Sequence, residues 1–146
     1  MIGAPTEPAL RILAVDDDPA TRSLTRAILV RADDPALRGA VVLEAPTLAE
    51  ARRILASEAI DLLLLDVHLP DGLGLDLAAE VRGDMPDRPA ILALTASVLP
   101  ADQRAALDAG CDAFLAKPYS ATALVSTCSE LVMRRARAIT ARTEQP

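Results

Sequence analysis

Aromatic side chains are almost missing from this chain: 146 residues include one Phe, Phe114, one Tyr, Tyr119, and no Trp. A stacking platform for nucleic-acid bases is therefore excluded, and any core must be built from Leu, Ile, Val and Ala. Cysteine is scarce too. Cys111 and Cys128 form no CxxC pair and meet no His cluster, which leaves zinc unsupported, and one bridge is not what holds a domain of this size together. No apolar run approaches the roughly 18 residues needed to span a bilayer. The first ten residues hold Glu7, two prolines and no Lys or Arg, unlike a signal peptide, so a cytoplasmic protein is the expectation. Positive charge is short: 15 basic against 21 acidic residues give a net charge of -6. With a pI of about 4.7, DNA or another polyanion is a poor main partner. His68 is the only His and Lys117 the only Lys; every other basic residue is Arg. A lone Lys in such a chain is either a compositional accident or a site that wants a flexible point charge where the planar Arg fork does not fit.

What is present is one domain's worth of chain with 51% hydrophobic residues, enough to bury a core without metal or disulfide staples. Short apolar runs alternate with helix-length segments. A first strand, Leu10 to Val15, stops at Asp16-Asp17-Asp18; Asp18 and Pro19 are the N-cap and first residue of a helix to about Ala32. On that helix Leu24, Ala27, Ile28 and Arg31 fall at helical spacing. A loop holding Asp33-Asp34-Pro35 leads to a second strand, Ala40 to Leu43. Thr47 and Glu50 form a capping box for a helix with Leu48, Ala51, Ile54 and Leu55 as its apolar stripe. Ile60 to Leu65 is the most hydrophobic strand and ends at Asp66; four consecutive Leu imply burial on both faces. After a loop from His68 to Gly74 comes a helix to about Arg82. A fourth strand, Ala90 to Leu94, ends at Thr95. Helix Pro100 to Ala109 closes on Gly110, and a fifth strand, Ala113 to Ala116, ends at Lys117-Pro118. Ser120 caps the last helix, with Leu124, Cys128, Leu131 and Val132 facing inward. Residues 1–9 and 141–146 read as flexible ends around a single domain, 10–140. The Arg-rich stretch Arg134, Arg135, Arg137 and Arg142 reads as cations at a helix C-terminus, which the macrodipole favours. Five βα units in a row imply an α/β fold with a parallel sheet and helices on both faces.

Four strand ends then carry chemistry: Asp16 and Asp17, Asp66, Thr95, and Lys117. Taken singly each is ordinary punctuation, a turn former, a helix cap or a half-buried hydroxyl. In an open parallel sheet these ends converge on one crevice, where ligands bind. Three carboxylates there repel; two like charges about 4 Å apart cost on the order of 4 kcal/mol at an effective dielectric of 20. A hard divalent cation removes that cost, and Mg²⁺ suits a few oxygen ligands with waters and a phosphate oxygen. Lys117 and Thr95 supply a point charge and a hydroxyl for phosphoryl oxygens, so the parts suffice for in-line phosphoryl transfer to a carboxylate.

The segments Ile12-Leu13-Ala14-Val15-Asp16-Asp17-Asp18-Pro19, Leu65-Asp66-Val67-His68-Leu69-Pro70 with Gly74, Leu94-Thr95-Ala96, and Ala113-Phe114-Leu115-Ala116-Lys117-Pro118 resemble the receiver domains of two-component response regulators in order and spacing, over roughly residues 10 to 138. The resemblance implies a flavodoxin-like (βα)5 fold with strand order 2-1-3-4-5. It implies Asp66 as phosphoacceptor, supplied by a histidine kinase or histidine phosphotransfer protein. Mg²⁺ would be held by Asp17 directly, by Asp16 mostly through water, by Asp66, and by the main-chain carbonyl of His68. Lys117, with a cis bond to Pro118, would hold a phosphoryl oxygen; Thr95 and the Ala96 N–H would follow the phosphate, and Phe114 would turn inward. The face of fourth helix, fifth strand and fifth helix would then change its affinity for a downstream protein, and a homodimer is left open. On this reading the chain is not an enzyme but a phosphoacceptor assisting its own phosphorylation and dephosphorylation. Leu73, where an acidic residue is common, Phe114 in place of Tyr, and a slightly long segment from Ala32 to Gly39 depart from the family. Three alternatives stand beside it. One is a receiver module excised from a larger hybrid kinase or regulator. The second is a receiver kept as an unphosphorylated scaffold. The third is a haloacid-dehalogenase-type phosphatase with Asp16 of Asp16-Asp17-Asp18 as nucleophile, against which stand Ala20 and the lack of any Asp after Lys117.

Overall fold

The computed structural model describes residues 9–84 and 88–144. The apolar runs become β1 (Arg11–Val15), β2 (Val41–Ala45), β3 (Leu62–Asp66), a two-stranded hairpin of β4 (His68–Leu69) and β5 (Gly72–Leu73), then β6 (Ala90–Thr95) and β7 (Ala113–Ala116). Helices α1 (Pro19–Val30), α2 (Leu48–Ser57), α3 (Gly74–Asp84), α4 (Pro100–Ala109) and α5 (Ala121–Glu144) alternate with them. The main sheet is parallel, in the order β2-β1-β3-β6-β7. Leaving out the small hairpin, this is the expected order 2-1-3-4-5.

Successive side chains of a strand point to opposite faces, and the two cores divide accordingly. Leu13, Val15, Leu63, Leu65, Ile91 and Ala93 pack on one face with Leu48 of α2, Leu77 of α3 and Ala106 of α4. Ile12, Ala14, Leu62, Leu64, Leu92 and Leu94 pack on the other with Leu29 of α1 and Leu124, Cys128 and Leu131 of α5. The four-leucine run is buried throughout, as continuous apolarity in a central parallel strand requires. Both cysteines are buried free thiols. Burial pushes Cys111 up to about 11 and Cys128 up to about 12, so neither forms thiolate at neutral pH. An alkylating reagent is expected to leave both untouched in the native protein and to label them in step with urea unfolding. Rapid native labelling of Cys128 would contradict this core.

Several local readings are corrected. Of Leu24, Ala27, Ile28 and Arg31, Ile28 alone packs, half-buried, against a core cluster. Leu24 is 62% exposed, and the four line a groove of about 770 Å³ between α1 and α5. The buried positions of α1 are Thr25 and Leu29; two stripes of the same period lie on this helix, and periodicity alone does not rank them. Thr25 tolerates burial because its hydroxyl meets the Tyr119 hydroxyl at 3.1 Å. The capping box on α2 is half formed: Thr47 accepts from the Glu50 N–H, but the Glu50 carboxylate turns to Arg53. The slightly long segment between α1 and β2 is anchored, with Leu37 buried over a turn in which Asp34 accepts from the Ala36 N–H. Helix α5 runs through 141–144, assigned above to a flexible end; no Gly or Pro interrupts it between Ala121 and Gln145. Residues 1–8 and 145–146 of the two expected flexible ends lie outside the described residues. Within the Arg-rich stretch, Arg135 pairs with Asp61 and donates to the Arg88 carbonyl, so it anchors α5 to the sheet; the Arg142 side chain lies outside the description. Among the described residues no helix is long and apolar enough to cross a membrane.

Candidate functional site

In the main sheet the chain leaves β1 toward one edge and returns through β3 toward the other, so the switch of direction falls between these neighbours. Crevices at such a point, beyond the carboxyl ends of the strands, are where open α/β sheets bind ligands. Asp16 and Asp17 follow β1, and Asp66 closes β3. Each offers a carboxylate oxygen, and the three oxygens lie within 4.8 Å of one another. Asp16 is 5% and Asp66 8% exposed, while Asp17 opens to solvent.

Lys117, from the end of β7, reaches between the two buried carboxylates. Its Nζ donates to Asp16 Oδ2 at 3.1 Å and lies 3.5 Å from Asp66 Oδ2. Burial works against this ammonium, yet the Asp16 hydrogen bond and the charges of Asp66 and Asp16 outweigh it and hold Lys117 above the ordinary lysine value. For Asp66 the balance is opposite. Burial raises its pKa more than the Lys117 charge and the His68 N–H lower it, and Asp16 adds a repulsive charge. Lys117 thus sits where its charge is needed, and a second cation beside Asp66 would meet an uncompensated carboxylate. The donor set is hard oxygen throughout, which fits Mg²⁺ rather than a softer metal.

The remaining expected residues surround this cluster. Thr95, 6% exposed at the tip of β6, accepts from the Ser97 N–H at 3.0 Å. Ala96 follows in the open. The Lys117 N–H donates to the Thr95 carbonyl at 2.7 Å, locking the last two strand ends together, and the Lys117-Pro118 bond is cis. His68 is exposed, and its N–H donates to Asp66 Oδ1 at 3.3 Å. Phe114 is half-buried against the core face of α2, α3 and α4. Asp18 serves the cluster only through its backbone: its N–H donates to Asp16 Oδ1 at 2.9 Å, while its carboxylate accepts from the Ala20 N–H and the Thr21 hydroxyl as the cap of α1.

Two further supports hold the site, of which the sequence singles out only Gly74. Arg22 donates from Nη1 to the Asp16 carbonyl at 2.6 Å and from Nε to Glu44, pinning the β1–α1 turn. Gly74 donates its N–H to the Val67 carbonyl at 2.7 Å and brings α3 against the backbone of Asp66, where a Cβ would collide with the Asp66 carbonyl oxygen. Arg22 carries no distinguishing sequence signal, since its partners lie on another turn and another strand. Gly74 is legible as the glycine that ends the loop after the four-leucine run, but the close approach it permits is not.

A family profile described as the response regulator receiver domain matches residues 12–129. The response regulator MprA of Mycobacterium tuberculosis is 37% identical over 126 residues, 86% of this chain and 52% of its own length; the chain spans about half the length of these curated relatives. A 14.6 kDa protein of Leptolyngbya boryana is 39% identical over 116 residues, covering 78% of this chain and 83% of its own. Among solved structures, a CheY-like receiver domain protein from Methanospirillum hungatei superposes with a TM-score of 0.78 at 28% identity, covering 89% of this chain and 98% of the other.

Proposed function

The chain belongs to the response regulator receiver domain family, and on that premise we propose that Asp66 is the phosphoacceptor of a two-component signalling switch, fed by a phosphohistidine on a histidine kinase or phosphotransfer protein. The observation that carries this is the single ammonium of Lys117 held between the Asp16 and Asp66 carboxylates at the switch point of the sheet. An Asp66 oxygen attacks phosphorus, the P–N bond to the donor imidazole breaks, and the phosphoryl group ends on Asp66. Asp16, Asp17, Asp66 and the His68 main-chain carbonyl would hold Mg²⁺. When bound, the ion supplies neutralisation of the carboxylates and of the incoming phosphoryl oxygens. Lys117 exchanges its carboxylate contacts for a phosphoryl oxygen. The Thr95 hydroxyl leaves the Ser97 N–H and donates to another, with the Ala96 N–H beside it. Phe114 moves into the space behind Thr95, and the face of α4, β7 and α5 changes its fit to a downstream protein.

Incubation with Mg²⁺ and acetyl phosphate is expected to add the mass of one phosphoryl group, and peptide mapping of the trapped acyl phosphate to place it on Asp66. A label on Asp16 would instead support a phosphatase of the haloacid dehalogenase type, a reading disfavoured by the engagement of Asp18 as a helix cap. No mass gain would leave the scaffold reading.

A further inference from the structure

Asp71 sits at the turn of the β4–β5 hairpin, directly after the proposed acceptor strand, and its carboxylate reaches out of the hairpin to α2. One oxygen accepts from the Leu48 N–H at 2.9 Å and the other from the Ala49 N–H at 3.1 Å. These are the first two residues of α2. A helix start leaves four amides without intrahelical partners; here Thr47 takes one and Asp71 takes two. An anion at this end is also favoured by the helix dipole. The Leu48 N–H, foremost, and the Ala49 N–H hold the Asp71 carboxyl below the usual aspartate value despite some desolvation. Gly72 makes a second contact with the same helix: a Cβ there would lie 3.0 Å from Leu48 Cδ1, and Leu48 is fully buried. The hairpin therefore rests on the start of α2 through Asp71 of its turn and Gly72 of its returning strand. At its other end the Gly74 N–H closes the base on the Val67 carbonyl, and the His68 N–H ties the hairpin to Asp66 Oδ1 in the carboxylate pocket.

We propose that Asp71 is a positioning residue for the carboxylate pocket: it clasps the β4–β5 hairpin to the N-terminus of α2 and thereby holds the His68 main chain in place beside Asp66. The proposal rests on the reading above in that His68 contributes its carbonyl to the Mg²⁺ site. The hairpin has only two residue pairs, His68 with Leu73 and Leu69 with Gly72, and so short a ribbon has no stability of its own in water. Mg²⁺ demands near-ideal octahedral geometry, so a wandering carbonyl ligand weakens its binding directly. Groups that orient ligands without touching the metal commonly change affinity by tenfold or more.

The test is Mg²⁺ titration by calorimetry on the full chain as wild type, Asp71→Ala, Asp71→Asn and Thr47→Ala, with amide hydrogen exchange across 68–73. Asp71→Ala is expected to weaken Mg²⁺ about tenfold and to speed exchange in the hairpin. Asp71→Asn, which keeps one acceptor oxygen, falls between, and it carries the comparison if the alanine variant folds poorly. Thr47→Ala removes a cap from the same helix without touching the hairpin, so it should lower thermal stability and leave Mg²⁺ affinity unchanged. Wild-type affinity in Asp71→Ala, or an equal loss in Thr47→Ala, overturns the clasp. A wild type that binds no Mg²⁺ overturns the metal site instead, and unchanged hairpin exchange in Asp71→Ala then overturns the clasp independently.

Discussion

Asp66→Asn is expected to end phosphoryl acceptance altogether and, at neutral pH without Mg²⁺, to make the folded protein more stable. The first result follows from removing the nucleophilic oxygen. The second follows from the balance at the site: burial raises the Asp66 pKa by more than Lys117 lowers it. A carboxyl whose folded-state pKa exceeds its unfolded value binds its proton more tightly in the native state. Stability therefore falls as pH rises from the ordinary aspartate value of 3.8 through the raised folded value, and the full penalty persists above it. Asparagine carries no such penalty, and Lys117 keeps its Asp16 partner. Urea unfolding in EDTA should show the variant ahead of wild type at pH 7, with the gap closing as pH drops below the ordinary aspartate range. A variant less stable than wild type at pH 7, or one that still gains a phosphoryl group, would contradict this electrostatic account.

Gly74→Ala is expected to damage fold and site together. Gly74 is buried, and its missing Cβ is what lets α3 begin against β3. The added carbon would meet the Asp66 carbonyl oxygen, and would also sit 3.1 Å from Leu65 Cγ and from the Asp66 carbonyl carbon. Backbone atoms of a central strand cannot retreat as a flexible side chain can. Overpacking of this kind costs about 1–3 kcal/mol, a large share of the roughly 5–15 kcal/mol that holds a domain folded. The urea midpoint should fall at unchanged slope, and acceptance from acetyl phosphate should slow because Asp66 itself is displaced. A midpoint equal to that of wild type would mean that α3 can back away freely.

The fold and the principal site residues were legible for one physical reason. A central parallel strand is buried on both faces, so its sequence is an unbroken apolar run, and the polar residue that ends it marks the carboxyl edge of the sheet. Once Leu62–Leu65, Ala90–Leu94 and the flanking runs are recognised, Asp16, Asp66, Thr95 and Lys117 must share an edge, whatever the helices do. Proximity at the edge did not specify the contacts. That Lys117 bridges Asp16 and Asp66, while Thr95 turns to the Ser97 N–H, depends on side-chain directions set by packing.

Where two local solutions have the same period or the same chemistry, the sequence was silent. On α1, the stripe through Leu24 and the one through Thr25 and Leu29 both repeat at helical spacing. The second is the one buried against the sheet, where Tyr119, arriving from the far end of the chain, satisfies the Thr25 hydroxyl. At α2, Glu50 was the local candidate to close the capping box on the Thr47 N–H; it turns to Arg53 instead, and the next two amides, Leu48 and Ala49, are met by Asp71 from 22 to 23 residues downstream. Composition and the order of apolar runs decided that this chain is a doubly wound sheet with an acidic crevice and one ammonium, since burial follows hydrophobicity regardless of partner. Tertiary structure alone decided which helix faces lie inside and what clasps the loops around Asp66, since a hydrogen bond between distant segments leaves no mark on the residues near either end.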